Sequence, residues 1–179
     1  MNVVILSPSF PYNFQNFYFH LGSQGGRVLG IDQKPYEELD YRLQECLTDY
    51  YRVNDLHNYN ELEDAFRYFI SRHGPIDFIE SHNEYWLETQ ASLATQFNIP
   101  CLNNSEIETV KRKSEMKKVF LAADLKPARG GLVPTLESAL TLVQHIGYPV
   151  IVKPDRGVGA NGCRKLNNDE EVIQFFNNK

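Results

Sequence analysis

The stretch Tyr148-Pro-Val-Ile-Val-Lys-Pro-Asp-Arg-Gly-Val-Gly-Ala-Asn-Gly162 decides how this chain is read. A short apolar strand delivers one lysine, Lys153, and a loop carrying Gly157, Gly159 and Gly162 follows at once. Glycine has no Cβ, so such a loop can turn backbone N–H groups inward onto an anion. The lysine at its base adds a mobile positive charge. The combination fits a polyphosphate, and ATP is the first candidate. A hairpin with a glycine-rich turn is the plainer reading of the same residues, because such loops are common.

The composition supports a folded protein. The 179 residues suit one domain, or one domain plus a piece of another, and 42% hydrophobic with 23% charged residues is globular rather than disordered. Apolar runs are far shorter than a bilayer span requires, so no membrane role is expected. The amino terminus, Met-Asn-Val-Val-Ile-Leu, has no basic leader and reads as a first strand. Cys46, Cys101 and Cys163 are few, odd in number and far apart, which suits free thiols in the cytoplasm. No histidine lies three or four residues from another histidine or a cysteine, so no zinc site is expected. The net charge of −5 disfavours nucleic acid as a partner. Residues 1–100 hold 6 Lys/Arg against 14 Asp/Glu (−8), and residues 101–179 hold 12 against 9 (+3). The basic half contains the glycine loop, the right sign for phosphate.

Residues 1–103 alternate between strand and helix patterns, which predicts an α/β domain with an open, mostly parallel, Rossmann-like sheet. Strands are expected at Val3–Leu6, Arg27–Ile31, near Tyr50–Val53, at Ile76–Glu80 and at Ile99–Leu102. Helices are expected over Asn13–Leu21, after an Asn60/Glu63 capping box, and over Trp86–Phe97. Phe14, Phe17, Tyr18 and Leu21 form the apolar stripe of the first helix. Ligands gather beyond the carboxyl ends of such strands. The residues there are Ser7-Pro8-Ser9, Asp32, and Ser81-His82-Asn83-Glu84, with Ser9, Asn83 and Glu84 as small-substrate contacts; loop and cap roles are the alternative for each. The first strand–helix turn has no G-x-G-x-x-G, which argues against a dinucleotide site.

Residues 104–126 read as a basic helical linker, one or two helices, with a Ser105/Glu108 capping box and Ile107 and Val110 facing inward. Residues 127–179 then give a helix from Thr135 to Gly147, the strand and loop, a return strand Cys163–Leu166, and a helix capped by Asn168. Asp155 reads as a turn residue, and Arg156 as a loop or solvated cation.

Taken together, these features resemble the amino-terminal part of an ATP-grasp protein. Three elements carry the resemblance: the α/β domain closing at Asn98-Ile-Pro-Cys-Leu-Asn103, Lys113 ahead of Leu125-Lys126-Pro127, and the loop sequence 148–162. The branch it resembles is that of the carbamoyl-phosphate synthase large chain and biotin carboxylase. The resemblance implies that residues 1–103 form a pre-ATP-grasp domain that helps bind a small-molecule carboxylate, and that residues 127–179 form a partial α+β ATP-grasp subdomain. It implies that Lys113 and Lys153 contact ATP phosphates, beneath a loop of Gly157, Val158, Gly159, Ala160, Asn161 and Gly162. Lys111 and Lys117 remain alternatives to Lys113. Full-length members phosphorylate a carboxylate with ATP and pass the acyl phosphate to an amine, thiol or similar nucleophile.

One departure from the family is large. The Mg²⁺-binding carboxylates and the adenine hinge of the family lie well downstream of the glycine loop, and Asp169, Glu170 and Glu171 read instead as acids at a helix start. The expectation is a ligase fragment, inactive alone, whose metal ligands lie beyond Lys179. The alternative is a non-catalytic nucleotide-binding or assembly module. Mobility at residues 155–162 and near Lys179, or self-association into a homo-oligomer, is expected where the hairpin lacks neighbours. A lysine buried at a strand end is costly unless it meets an anion, which ATP would supply to Lys153; a surface lysine on an edge strand is the alternative.

Overall fold

The computed structural model describes residues 1–178; the expectation about the end at Lys179 lies outside them. The chain divides into two compact units, Met1–Ile107 and Glu108–Lys179.

In the first unit, β1 (Asn2–Leu6), α1 (Gln15–Ser23), β2 (Arg27–Asp32), α2 (Tyr41–Cys46), β3 (Asp49–Arg52), α3 (Tyr59–His73), β4 (Phe78–Glu80) and α4 (Leu87–Gln96) follow in order. The four strands form one parallel sheet in the order β3-β2-β1-β4. All five residues of β1 are buried, as the centre of a parallel sheet covered on both faces demands. Alternation along the strands divides the core. Val4, Leu6, Leu29, Ile31 and Ile79 pack with Leu62, Phe66 and Phe69 of α3 and Leu93 of α4. Val3, Ile5 and Val28 face the other way, onto Tyr18 of α1 and Leu43 of α2. The connections from β1 through β3 run outward on one side, and the next strand returns to the far side of β1. The β1/β4 boundary is therefore where the strand order reverses.

The second unit contains α6 (Lys113–Ala122), α7 (Leu136–Ile146) and the antiparallel pair β5 (Val150–Val152) and β6 (Arg164–Leu166), then α8 (Asp169–Asn177); α5 (Ile107–Lys111) spans the division between the units. Thr135 caps α7 through a reciprocal box with Ser138, and Asn168 caps α8 through the N–H of Glu171, 2.9 Å away. A small core of Ala139, Leu166 and Val172 joins the hairpin to α7 and α8.

The α/β reading holds, with several local corrections. No strand forms at residues 99–102: the N–H of Ile99 bonds the carbonyl of Ala94 and that of Cys101 bonds Ile99, so these amides serve a tight turn rather than a ladder. The connection after β2 contains a helix, α2, whose start is capped by Asp40 at 3.0 Å from the N–H of Arg42. Neither early capping box forms: Asn58 makes no side-chain cap on α3, and Asn103 accepts from Ser105 rather than from Glu106. Asn58, not Asn60, precedes α3 and donates to Glu61, and the pairing before α5 runs from the Asn103 N–H to the Glu106 carboxylate. Val110 is exposed, and α6 buries no residue. Phe14 and Phe17 stack on His82 rather than filling the core.

At the amino-terminal edge of the sheet, Asp49 accepts hydrogen bonds from Arg72 Nε (2.9 Å) and His73 Nε2 (2.7 Å), joining β3 to the end of α3. Burial disfavours its charge, but the bonds from His73, the Tyr50 N–H and Arg72 outweigh that and hold the carboxyl below its ordinary range. Its stabilisation is present above the unfolded-state value and is lost as pH falls through the folded one. We expect Asp49→Ala to cost about 2 kcal/mol at neutral pH, with the gap from wild type narrowing below about pH 4; urea titrations across pH check it.

Candidate functional site

The second unit assembles the loop site. Strand β5 ends at Val152, so Lys153 stands one residue beyond it and is exposed. Of the two readings of Lys153, buried or at the surface of an edge strand, the exposed one is observed, since the strand ends before it. The loop then turns left-handed at Gly159, Ala160 and Gly162 (φ 63°, 60° and 73°). A Cβ at Gly162 would lie 2.9 Å from Pro154 Cγ, which makes glycine necessary there on two counts. Two small turns, Asn161 N–H to Val158 O (3.2 Å) and Cys163 N–H to Ala160 O (3.1 Å), shape the tip.

The start of the loop is anchored on α6. That helix begins after Arg112, which provides no side-chain cap, so its first amides need an acceptor from elsewhere. Asp155 is that acceptor: Oδ1 takes the N–H of Ser114 at 2.9 Å and Oδ2 takes its hydroxyl at 3.0 Å, while the Asp155 carbonyl takes the N–H of Lys113 at 3.0 Å. Partial burial opposes the charge of Asp155, but the Ser114 bonds and the nearby Arg112 and Lys113 outweigh it and lower its pKa. Asp155 is therefore a capping residue rather than a simple turn residue. Arg156 pairs with Glu108, which also holds Arg112 at 2.6 Å.

Among the three lysines open to choice, Lys113 is the one that meets the loop. Its Nζ donates to the carbonyl of Gly157 at 3.2 Å. Lys117 donates instead to the carbonyls of Ala128 (2.6 Å) and Gly130 (2.5 Å), and Lys111 is buried. The site thus brings one ammonium group onto the glycine loop and places a second, Lys153, at its base. Lys113 has three donors, and the Gly157 carbonyl takes one. Asp155 escaped the sequence reading as a cap because it lies 41 residues from Ser114; the only available signal was a helix start with no Ser, Thr, Asp or Asn at its cap position.

In the first unit, Ser9 and residues 81–84 lie beyond the carboxyl ends of β1 and β4, whereas Asp32 is the last residue of β2 itself, paired with Arg52 of β3. The Ser9 N–H donates to Asp32 Oδ2 at 3.0 Å. Asn83 Oδ1 caps the short 3₁₀ turn Glu84–Trp86 by accepting from Tyr85 N–H at 3.0 Å. Ser81 is buried, with its hydroxyl on the Asn83 carbonyl, whereas Glu84 is exposed. Glu80 and Tyr18, which the sequence presents as a strand end and a helix stripe, adjoin this group: Glu80 Oε1 accepts the N–H groups of Ser81 (2.8 Å) and His82 (2.9 Å).

Among the described residues, no helix is long and apolar enough to cross a membrane, and no group of three or more His, Cys, Asp or Glu is placed to hold a metal ion.

Comparison with known proteins yields a consistent pattern. Residues 110–179 match the family model described as carbamoyl-phosphate synthase L chain, ATP binding domain. The 2-oxoglutarate carboxylase small subunit of Hydrogenobacter thermophilus is 32% identical over 74 residues, 40% of this chain and 16% of that one. The C-terminal section of the carbamoyl phosphate synthase large chain of Methanocaldococcus jannaschii is 28% identical over 79 residues, 44% of this chain and 13% of that one. The biotin carboxylase domain of the Hydrogenobacter 2-oxoglutarate carboxylase, solved with MgADP, ADP and bicarbonate, superposes with a TM-score of 0.75 at 19% identity, covering 98% of this chain and 40% of that one. The likeness shows the fold, and the chain spans less than half the length of that solved relative.

The anchoring makes a prediction. Asp155→Ala should destabilise the second unit by about 1 kcal/mol, the usual value of a helix cap, and Asp155→Asn, which keeps an acceptor oxygen, should lose less. Thermal melts of the two variants against wild type check this.

Proposed function

We propose that this chain, whose residues 110–179 match the carbamoyl-phosphate synthase L chain ATP-binding family, is an ATP-grasp protein, the phosphate-gripping and part of the substrate-binding portion of an ATP-dependent carboxylate ligase. The observation that carries the reading is the Lys113 ammonium resting on the Gly157 carbonyl, with Asp155 tying the loop to the same helix. Lys113 and Lys153 neutralise the polyphosphate of ATP. The backbone of Gly157, Val158, Gly159, Ala160, Asn161 and Gly162 closes around it, the left-handed residues turning N–H groups toward the anion. Phosphoryl transfer depends chiefly on positioning and charge stabilisation, the services these residues can supply.

Mg²⁺ in such a reaction neutralises phosphate charge. Bound with a nucleotide it takes one or two carboxylates beside the phosphates, and we assign none of the described acids to that role. In the first unit, Ser9, Asn83 and Glu84 border a small-molecule site for the substrate. The free thiols fit a cytoplasmic protein. Exposed Leu121, Leu125 and Ile151 in the second unit favour self-association of the chain. These 179 residues by themselves bind ATP weakly and do not turn it over.

The test uses the 179-residue chain and its Lys153→Met variant, titrated with ATP and with tripolyphosphate while the amide signals of residues 157–162 are followed. Wild type should respond to both ligands, and the variant should bind at least about tenfold more weakly, a loss of about 1.4 kcal/mol. Equal binding by the variant overturns the assignment. ADP release from ATP, Mg²⁺ and a panel of carboxylates would overturn the claim of inactivity.

A further inference from the structure

We propose that the carboxyl ends of β1, β2 and β4, on the sheet face covered by α1, hold an organic ammonium group. This rests on the reading of the first unit as a small-substrate module and adds the chemical class of the group bound there.

Two carboxylates stand on this face, one on each side of β1. Ile5 of β1 lies opposite both Gly30 and Glu80 in the sheet register, and Asp32 is two residues beyond Gly30. Residues in register, or two apart along a strand, share a face. Ile5 packs with Tyr18, so Glu80 and Asp32 point to the Tyr18 side. Asp32 is 4% exposed and accepts the N–H groups of Ser9 and Gln33. Glu80 is half-buried and accepts two backbone N–H groups through one oxygen. Among the described residues, neither carboxylate forms a recorded salt bridge. Buried charge without a counter-charge is costly.

The second observation is independent of the acids. Tyr18 is 1% exposed, yet its hydroxyl has no hydrogen-bond partner, and neither has the buried Nδ1 of His82 beside it. Buried polar atoms are satisfied in the great majority of cases, so two orphans at one place call for a ligand. Burial first, and then the charges of Glu80, Cys46 and Asp32, push the Tyr18 phenol up, which places it in the field of both acids.

A primary ammonium has three N–H donors. The two carboxylates and the Tyr18 oxygen offer three acceptors on this face, and one carboxylate is enough to balance the ammonium charge. Phe14 and Phe17 stack on His82, and Phe17 stays exposed, giving an aromatic wall of the kind cations favour. The site also lies at the reversal of strand order, where open α/β sheets bind their ligands.

The experiment titrates the ¹⁵N-labelled 179-residue chain with phenethylammonium, 2-phenylethanol and 3-phenylpropionate, three probes of similar size and different charge. The amides of Ser9, Gln33, Ser81 and His82, which bond the two carboxylates, are the reporters. Phenethylammonium should shift them saturably and the other two should not. Glu80→Gln and Tyr18→Phe should each weaken that binding at least fivefold, and Tyr18→Phe should leave the melting temperature unchanged or higher, because it removes an unsatisfied hydroxyl. If 3-phenylpropionate shifts these amides and the ammonium does not, the first unit still binds a small substrate and the ammonium class is overturned. Equal shifts from the neutral alcohol, or the same shifts from MgCl₂ alone, also overturn it. A lower melting temperature for Tyr18→Phe with unchanged ammonium binding overturns the role given to the hydroxyl. If no probe produces a response, the small-substrate reading falls with it; the ATP titration of residues 157–162 is read separately.

Discussion

Helix α6 begins without a capping side chain of its own, and the carboxylate of Asp155 supplies the missing acceptor. That single contact fixes much of the second unit. It holds the first residues of the glycine loop against the helix start, and it sets Lys113 at the right place for its ammonium to reach Gly157. The Glu108 pairs with Arg112 and Arg156 surround the same junction. Exposed ion pairs contribute little to stability individually. The geometric constraint comes from the helix amides, which must find a partner.

The first unit is organised by a different constraint. A β1 strand buried on both faces requires helices above and below the sheet, and parallel strands require crossovers between them. The strand end at Asp32 and the loops that carry Ser9 and residues 81–84 are therefore delivered to one edge of the sheet, whatever their individual sequences. The polar groups at that edge are packed to different degrees. Asn83 is used as a cap, whereas the Tyr18 hydroxyl is enclosed and unmatched. Capped and unmatched polar groups occur in the same unit, and composition alone does not separate them.

The sequence reading succeeded where the signal is local. Strands β1 and β2, the stop at Gly147, the Asn168 cap and the loop sequence were all legible from periodicity and punctuation. It failed where a local pattern had a rival use. Glu108 looked like half of a capping box, but an arginine 48 residues away claims it. Residues 99–102 looked like a strand, but their amides close a turn instead. For Lys153 both a buried and a surface position were open, and the two-stranded hairpin leaves it exposed.

What the sequence by itself determined is the alternation of strands and helices and the presence of a lysine followed by a glycine-rich loop, because these depend on spacings of two, three or four residues. Only the tertiary structure decided that Asp155 meets Ser114, that Lys113 rather than Lys117 faces the loop, and that Asp32, Glu80 and Tyr18 share one side of a sheet. Those meetings join residues tens of positions apart, and the path of the chain between them, set by sheet order and by the demand that every buried polar group find a partner, determines which ones meet.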